Sequence, residues 1–135
     1  MYKNILVPII LDEEHDTQAS FLVARALAAE DAQFMILHVM EQLPAYATAR
    51  IPRNFMDQSR EHIEKLLKLA ARALPDARAE MIEGHAGRAI VDYAEANGID
   101  CIVLASHRPG IEDIFLGSTA SRVVRHAKCA VHVIR

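Results

Sequence analysis

The chain has 135 residues, 52% of them hydrophobic and 24% charged, with a formal net charge of -3. That suits one folded domain, residues 1–135, with a real core, and argues against disorder. It offers neither the basic face that a nucleic-acid partner requires nor an apolar run of about eighteen residues that would cross a bilayer. The start, MYKNILVPII, passes straight into a short apolar run. It lacks the longer apolar stretch and small-residue cleavage site of a secretory leader, so a cytoplasmic location is expected. Cys101 and Cys129 stand near the starts of two apolar runs. They read as small buried hydrophobes kept reduced, with no second pair to suggest zinc.

Asn4–Ile10 is rich in β-branched residues and reads as a buried strand ending near Pro8, whose missing N–H cannot extend a ladder. The acidic loop Asp12-Glu13-Glu14-His15-Asp16 follows, with Asp16 or Thr17 as helix cap. Thr17–Glu30 is expected to be helical, with Ala19, Leu22, Val23, Ala26 and Leu27 on its buried stripe. Gln33–Met40 is a second buried strand. Glu41–Pro52 reads as irregular, carries Tyr46 and Arg50, and is placed to cover a site. Asn54–Leu74 is the longest helix, with Met56, Ile63, Leu66, Leu67 and Ala70 inward and Pro75 as its stop. Ala77–Glu83 is a less apolar strand, as suits a sheet edge. Gly84 and Gly87 flank a turn into a helix over Arg88–Asn97, with Ile90, Val91 and Ala94 inward and Asn97-Gly98 as its C-cap. Ile99–Ala105 is the fourth strand, Gly117–Ala127 the last helix and Cys129–Ile134 the last strand.

Strict alternation of continuous apolar strands with helices implies an α/β fold. It is expected to be a single doubly wound, Rossmann-like domain with helices on both faces of a five-stranded parallel sheet in the order 3-2-1-4-5. The switch point then falls between the first and fourth strands, where ligands bind in such sheets. Two polar groups lie there. Gly117-Ser118-Thr119 opens a helix, whose free N–H groups and dipole favour a phosphate. The same tripeptide also reads as an ordinary N-cap in which Ser118 holds the backbone of Ser121. Ser106-His107-Arg108 adds donors at the fourth strand's end, Arg108 as a fork suited to phosphate, or else is a solvated loop.

The acidic loop reads either as a ribose or magnesium ligand or as a solvated helix entry. His38, inside an apolar strand, reads as a satisfied core or sheet-end histidine. His126 suits the carboxyl end of the last helix, and His132 faces solvent or a subunit contact. No P-loop, no metal-ligand spacing and no nucleophile–base pair is present. The last strand, with alternating apolar residues at a sheet edge, invites pairing with a second copy.

Taken together, ILVPI at 5–9, LHV at 37–39, EG at 83–84, ASHRPG at 105–110, LGS at 116–118 and VVRHAKCAVHVIR at 123–135 resemble the universal stress protein family along the whole chain. The C-terminal part is similar to its small single-domain bacterial branch with a Ser-His-Arg-Pro loop. The resemblance implies the fold above, a homodimer through the last strand with tetramers left open, and an adenine nucleotide, ATP or AMP, with Mg2+ beside it or not. By position Val39 matches the family's adenine-side residue, while Pro8, Ile9 and Ile10 match the segment lining the base. Ala105 and Arg108 stand where the family motif has its two glycines, and Gly117 and Ser118 match its final pair, with a spacer one residue short. ATP binders usually carry Asp where this chain has Ile10, leaving Asp12 as the alternative ribose ligand. The resemblance thus points to a stress-response regulator or binding module with at most slow ATP hydrolysis. The rivals are a member acting through protein contacts without nucleotide, and a genuine ATPase or nucleotidyl transferase with Asp12 or His107 as its catalytic candidates.

Overall fold

The computed structural model describes residues 1–9, 17–41, 44–106 and 117–135. The elements are β1 (Tyr2–Pro8), α1 (Thr17–Leu27), β2 (Ala28–Met40), α2 (Ala45–Thr48), α3 (Arg53–Ala71), β3 (Arg78–Glu83), α4 (Ala86–Ala96), β4 (Cys101–Ala105), α5 (Ser118–His126) and β5 (Ala130–Ile134). The five strands form one sheet in the order β3-β2-β1-β4-β5, and every neighbouring pair is parallel. The expected doubly wound fold is therefore the one adopted.

Alternation along the strands builds a core on each face. Ile5 and Val7 of β1 join Ile36 and Val103 against Phe21 and Ala24 of α1 and Leu67 of α3. Leu6 turns the other way and joins Leu37, Ile102 and Leu104 against Ile90 and Ala94 of α4 and Ala120 and Val123 of α5. Ile5, Leu6 and Val7 are all 0% exposed. Burial of each such side chain contributes about 1.5–3 kcal/mol, which is why a run of three unbroken hydrophobes occupies the central strand.

Several expectations are corrected. The helix expected to reach Glu30 ends at Leu27, and Ala28 already pairs with Tyr2 across a register irregularity in β1–β2. Sheet pairing there overrides the helical preference of Ala-Ala-Glu. The buried residues of α1 are Ser20, Phe21 and Ala24, and Val23 and Leu27 of the expected stripe pack against the same core, while Leu22 is 65% exposed. The stripe is turned toward Phe21, whose ring joins Phe34 in that core, rather than toward the leucine beside it. In α3 Leu67 is buried and Ile63 and Ala70 pack against the core, but Met56 lies exposed near the helix start, beyond the sheet. The segment expected to be irregular contains the short α2. Gly87 lies inside α4 rather than in the turn before it. The Asn97-Gly98 ending is observed: Gly98 has φ of 64°, and Ile99 N–H donates to Ala94 at 3.0 Å, closing the helix in a left-handed cap.

One polar residue holds the amino ends of three strands. The Asp100 carboxylate accepts the backbone N–H groups of Lys3 and Asn4, each at 2.9 Å. Its own N–H donates to Asn4 at 3.0 Å, and its carbonyl accepts Ala130 N–H at 3.3 Å. Asp100 thus joins β1, β4 and β5 just below the point where β4 begins. Both cysteines are free thiols, Cys101 buried and Cys129 half-buried. Burial pushes the Cys101 thiol up to about 11 and raises Cys129 as well.

Asp100→Ala should destabilise the fold by about 1–3 kcal/mol in urea denaturation, since two backbone donors lose a charged acceptor. Asp100→Asn, which keeps one acceptor oxygen, should cost less. A thiol held near 11 in the fold and about 8.5 when unfolded makes the folded state the tighter proton binder between those values. Stability should therefore fall as pH rises through that window. Cys101→Ala should flatten the decline when denaturation midpoints are compared at pH 8 and at alkaline pH.

Candidate functional site

At the carboxyl ends of the central strands lies a cavity of about 260 Å³. Pro8 and Ile9 at the end of β1, Leu37, His38 and Val39 of β2, and Leu104 and Ala105 of β4 form its floor. Ala86 and Ile90 of α4, Thr119 of α5 and Glu41 just past β2 complete the wall. It sits at the switch point. The chain leaves β1 for α1 on one face of the sheet and leaves β4 for α5 on the other, so the two connections part and leave a crevice. A larger cavity of about 560 Å³ opens between α3 and the ends of β2 and β3, around the Arg60–Glu83 ion pair. It is the roomier of the two and is bordered by the first turns of α3, but it lies on the β2–β3 side of the sheet rather than at the switch point between β1 and β4.

The floor is fixed by the backbone. Ile9 N–H donates to the Leu37 carbonyl at 2.8 Å. His38 Nδ1 stands 3.1 Å from the Ile9 carbonyl. A carbonyl only accepts, so Nδ1 carries the proton and His38 is the sheet-end histidine the sequence suggested. Ser106 leaves β4 with its N–H on the Ile134 carbonyl at 3.0 Å, and its hydroxyl donates to the same oxygen at 3.3 Å. Its hydroxyl proton is thus engaged by β5 rather than turned to the crevice.

Gly117 is the N-cap residue of α5, and no side chain caps the helix; Ser121 N–H bonds to the Gly117 carbonyl at 2.9 Å. The capping role considered for Ser118 is therefore not the one adopted, and Ser118 stands in the exposed first turn. Gly117 has a steric reason. A Cβ there would lie 3.2 Å from the Ser106 carbonyl oxygen, so a larger residue would push the start of α5 a few tenths of an ångström from the end of β4. Of the residues singled out from sequence, Pro8, Ile9, Val39 and Thr119 line the cavity. Ser106 and Gly117 form the close approach at its β4 side. Ile10, Asp12, His107 and Arg108 lie outside the described residues.

The sequence reading missed Glu41 and the start of α4. Glu41 carried a legible signal: it is two positions beyond Val39 on an alternating strand. The second helix N-terminus carried none, because it reaches the crevice through packing of α4 on α5 and on β2. That packing requires Gly87, where an added Cβ would lie 2.8–2.9 Å from Arg122 Cδ and Cβ. Among the described residues, no group of three His, Cys, Asp or Glu is placed to hold a metal ion, and no helix is long and apolar enough to cross a membrane.

The model of the universal stress protein family matches residues 1–135. Universal stress protein G of Escherichia coli O157:H7 is 31% identical over 145 aligned positions, covering 100% of both chains. The solved universal stress protein UspA of Lactobacillus plantarum is 29% identical with a TM-score of 0.73, covering 99% of this chain and 98% of its own. The fold is shared with a universal stress protein solved in complex with cAMP, 20% identical with a TM-score of 0.68 over 99% of this chain and 97% of that one. It is shared also with an Archaeoglobus fulgidus universal stress protein in complex with dAMP, 15% identical with a TM-score of 0.68 over 99% and 98%.

Gly87→Ala should cost about 1–3 kcal/mol in thermal or urea unfolding, because the new methyl meets the Arg122 stem close to its backbone rather than at its free end. Arg122→Ala in the same chain should recover much of that loss.

Proposed function

The chain belongs to the universal stress protein family, and on that premise we propose that it binds an adenine nucleotide, ATP or AMP, in the crevice between β1 and β4 and serves as a regulator or binding module. The observation that carries the reading is that one cavity joins an apolar floor to the first turn of α5. The base fits against Ile9, Val39 and Ile90. The phosphate fits the unpaired N–H groups of α5, the Thr119 hydroxyl and the positive end of the helix dipole. Relatives of the same fold solved with cAMP, dAMP and AMP support an adenine nucleotide as the class of ligand. Ser106, Ser118, His107 and Arg108 are proposed as further phosphate donors and Asp12 as the ribose ligand, with Mg2+ accompanying a triphosphate. Pro8 and Ile10 complete the base-lining segment.

Binding rather than turnover is proposed because His38 and Glu41 are the only ionisable side chains among the described cavity residues, and the His38 Nδ1 proton is committed to Ile9. Any hydrolysis should be slow. A cytoplasmic homodimer through the free edge of β5, with His132 exposed on that strand, belongs to the same proposal.

Calorimetric titration of ligand-free protein with AMP and with ATP plus Mg2+ tests the reading. Binding weakened about tenfold by Thr119→Val, the size of one hydrogen bond to a charged group, and abolished by Gly117→Val is the expected result. Absence of heat with either nucleotide, in protein shown to be folded, would replace the reading with action through protein contacts.

A further inference from the structure

We propose that Glu41 selects the base of the bound nucleotide by accepting a hydrogen bond from its exocyclic amino group, an inference that rests on the nucleotide reading above. Alternation along β2 carries Leu37, Val39 and then Glu41 to one side of the sheet. Leu37 and Val39 belong to the core built against α4 and α5, and Glu41, the residue just past the strand, stands on the wall between this cavity and the larger one beside α3. Among the described residues it makes no hydrogen bond or ion pair, so its carboxylate is an unused acceptor at the mouth of the crevice.

Its position decides what it can meet. Two helices present their N-termini to the cavity, α4 through Ala86 and α5 through Thr119. Each alone attracts an anion. They differ in their neighbours. The α5 end carries the Ser118 and Thr119 hydroxyls. The α4 end stands beside β2: Gly84 N–H donates to the Met40 carbonyl at 2.9 Å, which brings the residue after Met40 next to the turn that enters α4. A carboxylate there offsets the dipole of α4 and repels phosphate, leaving α5 as the anion end. The nucleotide then lies from α5 across β4 and β1 to β2, with its base under Glu41. Adenine presents N–H donors at its exocyclic nitrogen. Hypoxanthine, of nearly the same shape, presents a carbonyl oxygen that a carboxylate repels.

The test is calorimetric titration of AMP and IMP into wild-type protein and Glu41→Ala, with thermal melts to confirm that this exposed substitution leaves the fold intact. The wild type is expected to prefer AMP about tenfold, the size of a charge-assisted hydrogen bond at a half-open site, and the variant to bind the two nucleotides equally. A preference that survives in Glu41→Ala overturns the assignment and moves base selection to the backbone around Val39. Equal binding of AMP and IMP by the wild type overturns it too. If the wild type binds neither, the nucleotide reading itself fails, and the role of Glu41 falls with it.

Discussion

The structure depends on β1 being dry on both faces. Ile5, Leu6 and Val7 have no surface left to water, and because they alternate, they demand apolar cover above and below the sheet at once. One layer of helices cannot meet that demand. The chain must send α1 and α3 to one side and α4 and α5 to the other, and it can do so only by reversing the direction in which strands are added. The reversal happens at β1, between β2 and β4. The crevice is therefore a consequence of how the core is covered, and it exists before any functional residue is placed in it. At the far end of the same strand Asp100 satisfies the backbone groups that the reversal leaves at the entry of β1.

Strand order, helix order and the position of the crevice were legible because they follow from short-range signals: unbroken runs such as ILVPI and CIVLA, and the turn at Asn97-Gly98. What was not legible came from packing across long separations. The buried face of α1 is only partly legible: Val23 and Leu27 pack inward as expected, but both a Leu22-centred and a Phe21-centred stripe have helical spacing, and only packing on the sheet chooses the ring. Asp100 reads as part of the fourth strand, which in fact starts at Cys101, and its bonds reach back about a hundred positions to Lys3 and Asn4. Gly87 looked like a turn glycine, and its reason is the Arg122 stem on another helix. The site divides the same way. Pro8, Ile9, Val39 and Thr119 could be named because strand ends and a helix start have local signatures. The share of α4 in the wall could not.

Gly117 and Gly87 work as a pair. The first lets α5 start against the Ser106 carbonyl, and the second lets α5 lie close on α4. Between them they set the height and tilt of α5 over the sheet, and thereby the distance from its first turn to the floor at Ile9 and Val39. Neither glycine need touch a ligand. Their lack of a side chain is what brings the donors of one helix within reach of a cavity floored by three strands.

The chemistry of the cavity follows from what remains after the fold has used its polar groups. The Ile9 N–H and carbonyl are spent on Leu37 and His38, the Ser106 N–H and hydroxyl proton on Ile134, and the Asp100 carboxylate on β1. Left over on the cavity's described wall are the Thr119 hydroxyl near the free donors of α5 at one end and the Glu41 carboxylate at the other, with apolar side chains and the second ring nitrogen of His38 between. Such a surface has a direction. It suits an elongated ligand that is anionic at one end, flat and apolar in the middle, and able to donate hydrogen bonds at the other.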